Sequence, residues 1–190
     1  MFRELVLKNR SYRRFDQHVA IERSTLEDLV DLARQTPSAA NRQPLKYILS
    51  YGSQRNAAIF STLSWAGYLK EWGGPAEGER PSAYIIILLD RDIYTTAGCD
   101  YGIAAQTILL GAVERGLGGC MLGAIQHDKL RQLLQIPKQY DILLVVALGV
   151  PLEVVQLEDL AENADIKYYR TADGVHHVPK RVLHDVILDV

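Results

Sequence analysis

The sequence predicts one domain of mixed helices and strands, with helices covering both faces of its sheet. Two apolar runs and one uncharged helix predict it. AYIIILLD, residues 83–90, and ILLVVALGVP, residues 142–151, are continuously apolar rather than alternating, as strands covered on both faces are. Between Asp100 and Glu114 no residue is charged, and Ile103, Ala104, Ile108, Leu109, Ala112 and Val113 spread apolar contact around most of a helical circumference, which marks a buried helix. At about 1.5 Å per residue the uncharged part is roughly 20 Å long, which suits the middle of a domain and is too short for a bilayer. A place between two subunits is the alternative to burial in one core.

The elements follow in order. Phe2, Leu5 and Val6 give one face to a short first helix ending near Asn9. Ser24 and Glu27 form a capping-box pattern before Leu26, Leu29, Val30 and Ala33, whose spacing is that of an amphipathic helix stopping before Pro37. The loop PSAANRQP, bracketed by prolines, opens into the short strand KYILSY. Residues 53–72 read as a helix with Trp65, Tyr68, Leu69 and Trp72 on one face, suited to a core, with a substrate platform as the alternative. EWGGPAEGERPS, Glu71 to Ser82, is a loop of the length that often forms a lid. The strand at 83–90 and the central helix follow, and Gly116, Gly118 and Gly119 end that helix. CMLGAI is the third strand, DKLRQLLQ a short helix and the run at 142–151 the fourth strand. Beyond Pro151 the chain turns polar: VVQLEDLAENAD is poorly periodic, KYYRTADGVHHV suggests a hairpin around Asp173 and Gly174, and PKRVLHDVIL a last helix through Val182, Leu183, Val186 and Ile187.

Composition narrows the function. At 190 residues, 48% hydrophobic, the chain is one domain, or one domain plus an arm. Lys and Arg number 21 against 23 Asp and Glu, which leaves no overall field for nucleic acid or an anionic membrane. The charged opening MFRELVLKNR is unlike a signal peptide and no later run approaches a membrane span, so the expected location is cytoplasmic. Cys99 and Cys120 read as small core residues.

Three stretches could carry chemistry. Three of the five residues from Arg10 to Arg14 are arginines, with Ser11 among them, a set suited to a phosphate monoester, though also to a solvated charge run. Lys180 and Arg181 would fall in the first turn of the last helix, where the dipole disfavours cations unless an anion is near. The loop from Pro37 to Pro44 joins small residues (Ser38, Ala39, Ala40) to amides (Asn41, Gln43), which would let a flat ring approach its backbone. GLGGCM runs from helix to strand, the reverse of a dinucleotide fingerprint. There is neither a phosphate loop nor a Gly-x-Ser-x-Gly elbow. The histidines (His18, His127, His176, His177, His184) lack ligand spacing, so no metal is expected.

Together and in order, these pieces resemble the FMN-dependent nitroreductase family. The resemblance rests on Arg10, Ser11 and Arg13; on the Pro37–Pro44 loop; on the Asp-x-Gly-x-Ala-x-Gln helix from Asp100; and on CMLGAI and LLVVALGVP with a basic tail. It implies an α+β fold with a mixed, largely antiparallel sheet surrounded by helices, and an intertwined homodimer. Residues 1–152 would be the FMN-binding core and residues 153–190 a C-terminal arm packing on the partner subunit. By position, Arg10 and Ser11 would hold the FMN phosphate and ribityl end with Lys180 and Arg181. Arg13 would lie toward the pyrimidine edge, Pro37, Ser38 and Asn41 would come from the other subunit, and Leu122, Gly123 and Ala124 would line the ring through backbone.

No residue is then a catalytic nucleophile, because the flavin carries the chemistry and Arg13 acts electrostatically. The implied activity is ping-pong transfer of two electrons from NADH or NADPH to a nitroaromatic, quinone or related small acceptor. The alternatives are a flavin enzyme of the same fold that dehalogenates or consumes flavin, and a non-catalytic flavin-binding dimer. Asn9, where many relatives have arginine, Leu45, where tryptophan is usual, and Ala39 and Ala40 depart from the family pattern.

Overall fold

The two most apolar runs lie side by side at the centre of the fold. In the computed structural model, which describes residues 2–162 and 164–188, β3 (Ala83–Asp90) and β5 (Tyr140–Pro151) pair antiparallel; β2 (Leu45–Ser50) borders β3, while β1 (Phe15–Asp16) and β4 (Gly118–Leu122) share the far side of β5. Every ladder of this five-stranded sheet is antiparallel.

Alternate side chains of β3 enter opposite cores. Ile85 and Ile87 pack with Val146 and Leu148 beneath α2 (Arg23–Arg34) and α4 (Asp100–Glu114). Tyr84, Ile86 and Leu88 pack with Val145, Ala147 and Cys120 against α3 (Ser53–Phe60) and α5 (His127–Leu134). Burying each large aliphatic side chain contributes about 1.5–3 kcal/mol before conformational entropy is subtracted. The result is the expected α+β architecture, with α1 (Phe2–Lys8) lying along α4.

The central helix ends as its glycines predict. Gly116 adopts φ 73, and the N–H groups of Gly116 and Leu117 close onto Val113 O at 3.0 Å and Ala112 O at 2.9 Å, which satisfies two terminal carbonyls. Its burial is one-sided, however. Ala104, Ala105, Ile108 and Ala112 are buried, whereas Gly102, Ile103 and Gln106 are exposed. Cys120 is a core residue; Cys99, expected to be one, is exposed.

Tertiary contacts correct three further expectations. The capping box is not formed: α2 starts after Glu22 with no side-chain cap, and Glu27 accepts a bond from Arg23 at 2.7 Å instead. The helix expected over residues 53–72 stops at Phe60, because the chain beyond it pairs with the exit of β4. Ser64 N–H donates to Ala124 O at 3.0 Å, Gln126 N–H donates to Thr62 O at 2.8 Å, and Leu63 bridges Ile125. Of the aromatic face expected there, Trp65 is buried but Tyr68 is exposed.

The last helix is replaced by β8 (His176–Lys180), which pairs parallel with β6 (Val155–Asp159) and antiparallel with β7 (Tyr169–Arg170). Among the described residues a single 3₁₀ turn, Leu183–Asp185, follows. Pro179 fits this strand because β7 reaches only His176 and His177, leaving β8 without a second neighbour there. Lys180 is therefore on a strand end, and the conflict with a helix dipole does not arise. The polar stretch after Pro151 contains β6, and the expected hairpin forms, with Gly174 at φ 87.

Glu153 ties the start of the segment beyond Pro151 to the turn after α1. Its side chain is fully buried and takes the backbone N–H of Arg13 and of Arg14 (3.2 Å) together with Arg170 Nη2 (2.9 Å). A buried carboxylate needs such donors. Leu183, Val186, Ile187 and Leu188 beyond it are exposed.

Candidate functional site

The turn after α1 brings the arginine cluster against β4. Ser11 bridges Gly119 in parallel, and Tyr12 N–H donates to Gly119 O at 3.0 Å. Gly118 is required for this approach, since a Cβ there would stand 2.6 Å from the Tyr12 ring, and Gly119 for the packing of β4 on β5, since a Cβ there would stand 2.2 Å from Ala147 O. The chain then runs over Glu153, whose two backbone bonds orient Arg13 and Arg14.

β8 arrives beside the same turn. Arg10, Ser11, Arg13, Tyr168, His176 and Lys180 thereby line one cavity of about 320 Å³. Among the described residues no carboxylate lies within ion-pair distance of Arg10, Arg13 or Lys180. Arg10 donates one Nη2 bond to Val6 O at 2.7 Å, while its buried Nε has no partner. Burial lowers its pKa from the usual arginine value, and Tyr12 opposes that shift.

Arg13 is fixed from the C-terminal sheet. Its guanidinium lies 4.8 Å from the centre of the Tyr168 ring, and its Nη1 is 3.1 Å from Ser11 O and 3.3 Å from His176 Nε2. His176 is fully buried. Burial first, then Arg13, Arg170 and His177, bring its pKa down to about 4. At neutral pH the ring is therefore uncharged, Nε2 accepts from Arg13, and the proton sits on Nδ1, which has no partner.

The other expected site residues lie elsewhere in the chain. Ser38 Oγ donates to Asp100 Oδ2 at 2.6 Å and accepts from Gln43 N–H at 2.9 Å, so the Pro37–Pro44 loop is tied to the start of α4. Ala40, Asn41 and Gln43 take φ near 50, in the left-handed region. Pro37 and Ser38 line a separate cavity of about 150 Å³ with Tyr47 and Asp100, and Asn41 is exposed. There the Tyr47 phenol is pushed up to about 12 by burial and by Asp100. Leu122 is buried in the core; Gly123 and Ala124 follow it at the surface, and nothing lies within 4 Å of a Cβ built on Gly123. Arg181 is exposed and does not line the cation-rich cavity.

The structure thus unites Arg10, Ser11, Arg13 and Lys180, and in the single chain it joins neither the Pro37–Pro44 loop nor residues 122–124 to them. It adds Tyr168, His176 and the underlying Glu153, which local pattern did not single out. The loop from Glu71 to Ser82 is not a free lid. Glu79 is paired with Arg14, and Gly78 O and Glu79 O accept from Gln17 and Phe15 N–H at 3.1 and 2.9 Å. Among the described residues no cluster of three metal-ligating side chains occurs, and no helix is long and apolar enough to cross a membrane.

Residues 6–150 match the model of the nitroreductase family. A chloronitrobenzene nitroreductase of Comamonas testosteroni is 25% identical over 194 residues, covering 77% of this chain and 85% of the relative. Among solved structures, a nitroreductase family protein of Streptococcus pneumoniae TIGR4 superposes with TM-score 0.71 at 14% identity over the full length of both chains. An FMN-dependent nitroreductase of Clostridium difficile R20291 superposes with TM-score 0.66 at 19% identity, covering 97% of this chain and 96% of that one.

Proposed function

The chain belongs to the nitroreductase family of oxidoreductases, and from that premise we propose that it is an FMN-dependent enzyme. It transfers two electrons from NADH or NADPH to a nitroaromatic, a quinone or a related small acceptor. The observation that carries this reading is the cavity in which Arg10, Arg13 and Lys180 converge with Ser11 and no carboxylate. Three cations and a hydroxyl suit a phosphate monoester, and the unpartnered Arg10 Nε is a buried donor that such a group would satisfy.

The chemistry FMN supplies when bound is two-electron acceptance and release; the protein supplies position and field. Arg10, Ser11 and Lys180 hold the phosphate and ribityl end, with Arg181 close by in sequence. Arg13, held by Tyr168 and His176, places a fixed cation toward the pyrimidine edge, where it favours the more negative form of the ring. Gly123 and its neighbours Leu122 and Ala124 offer backbone to the ring, in keeping with the open space beside Gly123.

Pro37, Ser38 and Asn41 belong to this site through a homodimer, each loop serving the partner's flavin. The exposed face of α4 around Ile103 and the exposed Leu183–Leu188 segment are the surfaces that a second subunit would cover. We place the enzyme in the cytoplasm.

The test is the visible spectrum of the purified protein before and after anaerobic addition of NADH or NADPH. A yellow protein that bleaches, and recovers its colour on adding a nitroaromatic or quinone, is the expected result. A colourless protein that cannot be reconstituted with FMN overturns the reading. In Arg13→Ala the flavin should be harder to reduce while the fold is kept, and an unchanged two-electron potential would remove Arg13 from its role.

A further inference from the structure

Asp100 opens the Asp-x-Gly-x-Ala-x-Gln helix and carries no part of the proposed chemistry. It is 5% exposed and sits in the first turn of α4, whose Ala104, Ala105 and Ile108 are embedded in the core. Among the described residues no cation lies within ion-pair distance of it. Its oxygens are held by the Pro37–Pro44 loop instead: Oδ2 accepts from Ser38 Oγ at 2.6 Å and Oδ1 from Ala39 N–H at 3.2 Å. A buried carboxylate needs donors, and one loop supplies both of these.

That loop is held against its own preference. Ala40, Asn41 and Gln43 take φ of 50, 53 and 50, and non-glycine residues stay in the left-handed region only where their surroundings fix them. Ser38 is the link. Its one proton goes to Asp100 and its oxygen accepts from Gln43 N–H at 2.9 Å, so it joins the rigid helix to the last left-handed residue. It has no proton left to give a ligand. Gln43 Nε2 in turn donates to Asn41 Oδ1 at 3.0 Å and to Asn41 O at 3.2 Å, while the Arg42 guanidinium lies 4.1 Å from the centre of the Tyr94 ring. Asn41 is exposed, and among the described residues nothing accepts from its NH2 group.

We propose that Asp100 is a positioning residue for the ring end of the flavin site: acting through Ser38, it holds the loop in the shape that presents Asn41 before any ligand arrives. This rests on the reading that the loop serves a flavin through a homodimer. Ser38 then belongs to the site as the link between Asp100 and Asn41, and its loss acts by loosening the loop rather than by removing a contact to the ring. A loop set in its binding shape in advance avoids the ordering cost on association. One that holds the shape only about a tenth of the time binds about tenfold more weakly.

The test compares Ser38→Ala, Asp100→Ala and the double variant, by amide hydrogen exchange of residues 39–43 in the FMN-free protein and by titration with FMN. Exchange should accelerate across the loop and stay unchanged in β3. The FMN dissociation constant should rise about tenfold in each single variant and no further in the double, because both substitutions break one linkage. Asp100→Asn keeps an acceptor for Ser38 and should recover most of the affinity. Ser38→Ala removes only a half-buried hydroxyl, so these two variants remain testable if Asp100→Ala does not fold. Loop exchange unchanged in Ser38→Ala overturns the proposal. So do losses that multiply in the double variant, or that appear in Ser38→Ala but not in Asp100→Ala, since Ser38 would then touch the ligand itself. Unchanged affinity in the single variants of a protein that binds FMN overturns it and leaves the flavin reading intact, whereas a wild type that binds no FMN overturns both.

Discussion

The five-stranded sheet and the C-terminal sheet are held by different forces, and the difference decides how each can be read and broken. Between β3 and β5 nearly every side chain is buried in one of two apolar cores. That attraction is non-directional and scales with area, so a local run of isoleucine, leucine and valine suffices to announce it. The C-terminal sheet has mostly half-buried strands and is fastened by directional contacts. Glu153 binds Arg170 and the Arg13–Arg14 backbone, His177 binds Glu158, and Arg170 lies over Trp72. These join residues up to 140 positions apart, and no local pattern encodes them.

The largest expected effect is in the apolar region. Gly119→Val would drive side-chain atoms into Ala147 O and Leu109, which stand 2.2 and 2.8 Å from a bare Cβ. A loss above about 4 kcal/mol is expected, enough to leave no cooperative unfolding transition in a urea titration. A folded variant would show that β4 can move away from β5, contrary to a tightly packed centre.

Glu153→Ala tests the other region. It strands the buried Arg170 Nη2 and two backbone N–H groups, a loss of about 3 kcal/mol. That loss should fall on the C-terminal sheet: proteolysis beyond Pro151 should accelerate, with the main melting transition nearly in place. If the whole protein melts earlier by the full amount, the two regions are one cooperative unit.

The pH dependence sharpens the same contrast. The His176 pKa falls from 6.5 to about 4 in the folded chain, so as pH decreases through 6.5 the unfolded chain takes up the proton first. Stability is therefore full above pH 6.5, declines between about 6.5 and 4, and levels off below that, by up to about 3 kcal/mol. Unfolding free energies measured across this range should show the slope in the wild type and lose it in His176→Asn. An equal slope in both would relocate the titrating group.

How much was legible follows from the same distinction. The sheet strands, α4 and its glycine stop, and the cluster Arg10, Ser11, Arg13 each carry their cue within a few residues. Lys180 was legible as a cation seeking an anion, although its helix was not real. Its neighbours in the cavity, Tyr168 and His176, were not legible, because what sets them apart is their contact with Arg13, far away in sequence. β6 carried a faint cue in the alternation of Val155 and Leu157 with Gln156 and Glu158. The helix expected through Trp72 failed because pairing with residues 124–126 outweighed local helical preference.

The smallest expected effect belongs to a local cue that the fold ignores. Ser24, followed by Glu27, has the pattern of a capping box, and a serine that caps a helix stabilises it by about 1 kcal/mol. Here Ser24 is already inside α2, the cap position is Glu22, and Glu27 is engaged by Arg23 at 2.7 Å. Both partners of that pair are more than half exposed at their side chains, so the pair itself contributes little. Ser24→Ala should therefore change stability by less than about 0.5 kcal/mol, and by alanine's better helix propensity the change should be toward greater stability. A loss of about 1 kcal/mol in urea titrations would mean that in solution α2 begins at Ser24 after all, and that the local signal prevails over the Glu22 start.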